Sequence, residues 1–185
     1  MSEWFETRAG LLAKIWSVLD AGLSLRDAPA RQPCFATVSP GGWPEARTVV
    51  LRGVDQTTAQ VEVHTDLHSG KIASLRANPF AALHVWAPDD ALQIRLQARV
   101  TISDGNAVQA IWEQVPDPSR QSYGISPAPG TPIDAALNYV KKPDPATFAV
   151  LTCAVEMIDA VHLGVAHRRV SFEREDNWQG QWLAP

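Results

Sequence analysis

Alternation of apolar and polar positions is the strongest signal along this chain. In 91–102 (ALQIRLQARVTI), Leu92, Ile94, Leu96, Ala98, Val100 and Ile102 share one face, and Gln93, Arg95, Gln97, Arg99 and Thr101 share the other. A period of two marks one long, half-buried strand. Segment 59–65 (AQVEVHT) alternates in the same way, with Val61, Val63 and Thr65 opposite Gln60, Glu62 and His64. Segments 33–39, 80–87, 147–163 and 167–173 also read as strands, and 45–54 (EARTVVLRGV) as a single, nearly continuous one. The Pro40-Gly41-Gly42 turn and the hairpin-like spacings predict antiparallel pairing.

Helical spacing appears in three places. Phe5, Leu12, Ile15, Trp16 and Leu19 predict a helix over 3–21, capped by Ser2 and stopped at Gly22. Segments 70–77 and about 105–115 predict two more. The stretch from Pro116 to Pro145 holds seven prolines and reads as loop with short helical pieces. A loop of that length is usually functional or lies at an interface. Several strands with few helices predict a mainly β protein. The expected architecture is an antiparallel, Greek-key-like β-barrel, closed or partly closed, with peripheral helices, in a single domain over 1–185. No strand–helix–strand series and no G-x-G-x-x-G supports a Rossmann sheet.

Charge narrows the function classes. A net charge of −4 and a pI near 5.7 argue against a general nucleic-acid binder, while leaving room for a local basic pocket. Cys34 and Cys153 stand far apart with no CxxC or Cys/His spacing, which reads as two free thiols in a reducing compartment. The acidic beginning MSEWFETRAG lacks the layout of a signal peptide, and no apolar run reaches membrane-span length. The expected location is cytoplasmic, with no membrane partner.

Candidate chemistry centres on HTDLHSGK, residues 64–71. A phosphate needs positive charge and short hydrogen-bond donors, and a helix start supplies free backbone N–H groups. Ser69 offers a hydroxyl, Gly70 close backbone approach and Lys71 a charge; Ser69 serves equally well as an ordinary N-cap. Arg47 and Arg52 sit five apart in one strand, so in a flat strand they point to opposite faces. One site using both needs twist, a bulge or a long ligand. Gln93 and Arg95 lie on a polar strand face that suits a site, a solvated surface or a dimer interface. His64 and His68 straddle a turn without carboxylate or cysteine ligands in spacing, so no metal is expected.

The segments RTVVLRGVD, VHTDLHSGKIASLRANPFAALHVW, ALQIRLQARV and HRRVSFEREDNWQGQWLAP resemble the pyridoxamine 5′-phosphate oxidase-like superfamily of FMN-binding split barrels, over roughly 33–102 and 160–185. The likeness is to its oxidase-related bacterial branch. The resemblance implies FMN as cofactor, a small-molecule substrate and a homodimer with two shared flavin sites. It implies that Arg47 binds the phosphate or ribityl chain and that Thr48, Val49, Val50 and Leu51 run along the ring. Arg52 stands near flavin and substrate, His64 and Thr65 replace a Tyr-Thr pair, and Ser69 and Lys71 hold the phosphate. Gln93 contacts the flavin from the sheet, and Arg168 is donated across the dimer. Ser69-Gly70-Lys71 is one cation short of the oxidase's Ser-Arg-Lys. Gly164-Val165-Ala166 replaces the Arg-Leu-His that grips the oxidase's substrate, so vitamin B6 oxidation is not implied. The expected activity is therefore that of a flavin-dependent oxidoreductase. A non-catalytic flavin- or haem-binding protein and a deazaflavin-dependent reductase are the alternatives.

Overall fold

The computed structural model describes residues 3–185. A turn of 3-10 helix at Trp4–Glu6 leads into α1 (Arg8–Ser24). The strands β1 (Cys34–Val38), β2 (Pro44–Thr48), β3 (Leu51–Asp55) and β4 (Gln60–Asp66) follow, then α2 (Gly70–Ala77). Next come β5 (Phe80–Ala87), β6 (Leu92–Asp104), α3 (Gln109–Gln114) and α4 (Asp117–Arg120). A short hairpin of β7 (Ile125–Ser126) and β8 (Val140–Lys141) precedes β9 (Phe148–His162), β10 (Arg168–Glu173) and β11 (Gln181–Leu183).

Nine strands form one antiparallel sheet, in the order β11-β10-β9-β6-β5-β1-β2, with β3 and β4 attached through β9. β9 organises it. One edge pairs with β6 along nearly its whole length, from Leu92↔His162 to Asp104↔Ala149. The other edge is divided: its first half pairs with β4, from Asp66↔Phe148 to Gln60↔Ala154, and its second half with β10, from Glu173↔Met157 to Arg168↔His162. The sheet therefore curls without closing, the open form of the expected barrel. Alternation in β6 is realised as read: Leu92, Ile94, Leu96, Ala98 and Val100 are buried, and Arg95, Gln97, Arg99 and Thr101 exposed.

Several element boundaries differ from those the sequence suggested, each for a physical reason. Ser2 lies outside the described residues; Thr7 caps α1, its hydroxyl accepting from Gly10 N–H at 3.0 Å. Gly22 does not stop the helix. It lies inside α1, where an added Cβ would stand 2.7 Å from the carbonyl carbon of Ala30, so the glycine serves helix-to-chain packing. The stretch 45–54 is two strands. β2 pairs with β1 and β3 with β4, and the chain crosses between them at Val49 and Val50, where Val49 N–H donates to Pro33 O at 3.1 Å. The helix expected over 105–115 is a 3-10 turn, Gly105–Val108, followed by α3.

The main core lies inside the curled sheet and under α1, with Leu11, Ile15, Phe35, Leu83, Leu96, Ile158 and Phe172 at its centre. A second cluster gathers Val108, Trp112, Val115, Tyr123, Phe148 and Val150 beneath α3. This cluster anchors the start of the proline-rich segment against β9.

Candidate functional site

Arg52 owes its position to a β-bulge. Leu51 pairs with Val63 and Gly53 with Glu62, leaving Arg52 unpaired between them. A bulged residue is re-aimed relative to its neighbours. Together with the break at Val49–Val50, this removes the opposite-face constraint on Arg47 and Arg52. Across the hairpin, β4 ends at Asp66 and the chain turns into α2.

That turn is more than a cap. Ser69 occupies the N-cap position, yet its side chain makes no capping hydrogen bond. Its hydroxyl instead lies 3.0 Å from Thr65 Oγ1, and both hydroxyls accept from Lys71 Nζ, at 3.2 and 2.9 Å respectively. The first amides of a helix have no intrahelical acceptor; with the Ser69 hydroxyl turned away, those of Gly70 and Lys71 have no protein partner among the described residues. Burial, and then repulsion from Arg47, hold the Lys71 amine below its ordinary pKa, against an opposing pull from Asp66. The amine is thus a cation whose charge the protein leaves undercompensated.

A cavity of about 330 Å³ opens here. Of the twelve residues proposed from sequence, Thr48, Val49, Val50, Arg52, His64, Thr65, Ser69 and Lys71 line it. Arg47 stands behind the wall: it pairs with Glu45 at 2.9 Å and donates to Thr37 Oγ1 at 2.7 Å and Phe35 O at 3.3 Å. Leu51 is a core residue, 2% exposed. Gln93 and Arg168 lie elsewhere. Gln93 pairs with Val161 and Arg168 with His162, whereas His64 pairs with Val150. Eleven residues of β9 separate these positions, a contour of about 36 Å. Arg168 rests over the Phe5 ring at 4.7 Å and donates to Ala166 O.

The cavity has walls beyond the twelve residues proposed from sequence. Asp66 is buried; its Oδ1 accepts from His68 N–H at 2.8 Å and its Oδ2 from Gly124 N–H at 2.8 Å. It thereby pins the proline-rich segment, whose Ser122, Tyr123 and Pro129 complete the lining. The Asp-x-His turn was a readable signal for half of this; the contact to Gly124, 58 positions away, was not. Burial raises the Tyr123 phenol, and the neighbouring Arg52 guanidinium draws it back. Arg120, by contrast, ties α4 to the backbone of α3, donating to Trp112 O and Glu113 O. Among the described residues there is no cluster of metal ligands and no helix long and apolar enough to cross a membrane.

An open antiparallel barrel with a cation-lined cavity at a helix start defines a class of split-barrel proteins. Residues 14–104 match the family model of the pyridoxamine 5′-phosphate oxidase, FMN-binding domain. Pyridoxine/pyridoxamine 5′-phosphate oxidase 2 of Arabidopsis thaliana is 27% identical over 148 residues, covering 72% of this chain and 74% of that protein. The pyridoxine/pyridoxamine 5′-phosphate oxidase of Legionella pneumophila is 30% identical over 93 residues, 50% of this chain but only 42% of its relative. A pyridoxamine 5′-phosphate oxidase-related, FMN binding protein from Nostoc punctiforme has the same fold, with a TM-score of 0.74 and 28% identity over 94% of this chain and 96% of that one. The chain belongs to the pyridoxamine 5′-phosphate oxidase-like split-barrel superfamily. The matched family segment contains every sequence-proposed site residue except Arg168.

Proposed function

We propose that this chain binds FMN in the cavity between β3, β4 and the start of α2, and acts as a flavin-dependent oxidoreductase on a small molecule. One observation carries the reading: Lys71, with Ser69, Thr65 and the free first amides of α2, forms a cradle whose positive charge has no full counterpart in the protein. A phosphate dianion supplies that counterpart. Arg47, whose charge already reaches Lys71, adds to the attraction for an anion. The backbone of Thr48, Val49 and Val50 gives a flat wall for the ring, and Arg52 and His64 flank it. Bound flavin would supply two-electron transfer; the chain would bind it, orient it and shield it. The names of the relatives support FMN as the ligand.

Gln93 and Arg168 can serve the same flavin only from a second copy of the chain, given the length of β9 between them and the cavity. The proposed working unit is therefore a homodimer with two shared sites. The test is an absorbance spectrum of the purified protein, mass identification of any released ligand, and the molecular mass in solution. FMN on a dimer is the expected result. A colourless protein, one that takes up haem with a Soret band, or one that prefers a deazaflavin would refute the reading.

A further inference from the structure

The cavity shares two of its walls, Arg52 and His64, with a second cavity of about 320 Å³. α3 contributes Ile111 and Gln114 to the second cavity, and the chain leaving α3 contributes Val115 and Pro116. Facing them are the bulged Arg52 and, from one face of β4, Glu62 and His64. An apolar wall thus opposes a charged one.

The charges on that wall are few and fixed. Arg52 makes no ion pair among the described residues; its polar neighbour is the Tyr123 phenol. Glu62 Oε1 accepts from His64 Nε2 at 2.8 Å, and the Glu62 side chain remains 30% exposed. The His64 ring is held edge-on to Phe148, with Nδ1 sealed and unpartnered. Facing a carboxylate, Nε2 carries a proton and donates it to Glu62 in a hydrogen bond. The second cavity offers the Arg52 guanidinium and the Glu62 carboxylate, the latter hydrogen-bonded to His64. Lys71 is not part of its wall.

We propose that the second cavity is the substrate pocket of the flavin site and takes a non-phosphorylated small molecule. Its apolar body lies against Ile111, Val115 and Pro116, a carbonyl or carboxylate meets Arg52, and an amine or hydroxyl meets Glu62. This rests on the flavin reading of the first cavity. A phosphate ester brings about −1.5 to −2 charges. Here it would meet a single cation already shared with the flavin cavity, and a carboxylate beside it that repels it.

The test uses FMN-loaded protein and the matched pair pyridoxamine and pyridoxamine 5′-phosphate, titrated by calorimetry. Flavin content is read first from the absorbance of the same sample, so its absence speaks against the flavin reading and ligand preference against this one. Pyridoxamine should bind about tenfold or more tightly than its phosphate ester. Glu62→Gln, a near-isosteric change at a partly exposed side chain, should weaken pyridoxamine about tenfold by removing a charged acceptor. Equal or tighter binding of the phosphate ester, no binding of pyridoxamine, or an unchanged affinity in Glu62→Gln would each overturn the proposal.

Discussion

Replacing Lys71 with Met separates the binding role of this residue from any structural one, because the two predict opposite signs. Without ligand, the amine donates to Thr65 Oγ1 and Ser69 Oγ, but burial and Arg47 both disfavour its charge. After its removal the two hydroxyls keep each other, 3.0 Å apart. The ligand-free protein should therefore change in stability by less than about 1 kcal/mol, with no net loss. In the proposed FMN complex the amine would make a charge-assisted hydrogen bond to the phosphate, about 1.5–3 kcal/mol, so FMN should bind about 10- to 150-fold more weakly to the variant. The depressed pKa adds a pH signature. The unfolded chain holds the Lys71 proton up to 10.5 while the folded one releases it sooner. Ligand-free stability should thus rise with pH through the window below 10.5, and this rise should vanish in Lys71→Met. Urea unfolding without flavin, beside FMN titration followed by flavin fluorescence, measures both quantities. A loss of affinity under threefold, or a loss of stability equal to the loss of affinity, would refute the reasoning.

Other outcomes follow from single contacts. Gly70→Ala places a Cβ where no atom lies within 4 Å; it should stabilise α2 by about 0.5–1 kcal/mol yet lower FMN affinity, because the methyl crowds the first free amide. Gly22→Ala should cost about 1–3 kcal/mol from the clash with Ala30, against a helix preference alone that predicts a gain; thermal unfolding decides the sign. His162 is buried between Trp4 and Phe5, stacked on Phe5 at 4.4 Å. Burial, Arg168 and His167 lower its pKa from 6.5 while Asp90 opposes them. Its share of stability is present above pH 6.5 and is lost as the pH falls through the folded value; His162→Gln should flatten that slope in acid-unfolding curves. Burial pushes the Cys153 thiol up to about 12, so a thiol reagent should label Cys34 in the native protein and Cys153 only after denaturation.

Much of the scaffold was legible from the sequence. β5 and α2 fall at 80–87 and 70–77 as read, because alternation and a serine–glycine start followed by Asn78-Pro79 are local signals that tertiary structure did not override. β6 runs two residues past its expected end because Ser103 and Asp104, both polar and outside the alternation, still pair with Val150 and Ala149 of β9. What failed was non-local. Nothing within RTVVL announces that the chain changes partner strands at Val49, since Thr48, Val49 and Val50 form an unbroken β-branched run. Gly22 looked like a helix stop, but its absent side chain makes room for Ala30. In the site, the residues on contiguous strands and the helix start were readable. Tyr123, Ser122 and Pro129 reach it through one buried carboxylate that no spacing rule connects to them.

β9 works as a ruler laid through the molecule. The cradle is keyed to its first half through β4, and the Gln93–Arg168 end is keyed to its second half through β6 and β10. Deleting one residue from the middle of this ribbon would turn every side chain beyond it to the opposite side, exchanging inside for outside across one whole end of the sheet. Drift in length should therefore be absorbed in the connections at either end of β9, while the distance between the cradle and the Gln93–Arg168 end stays fixed.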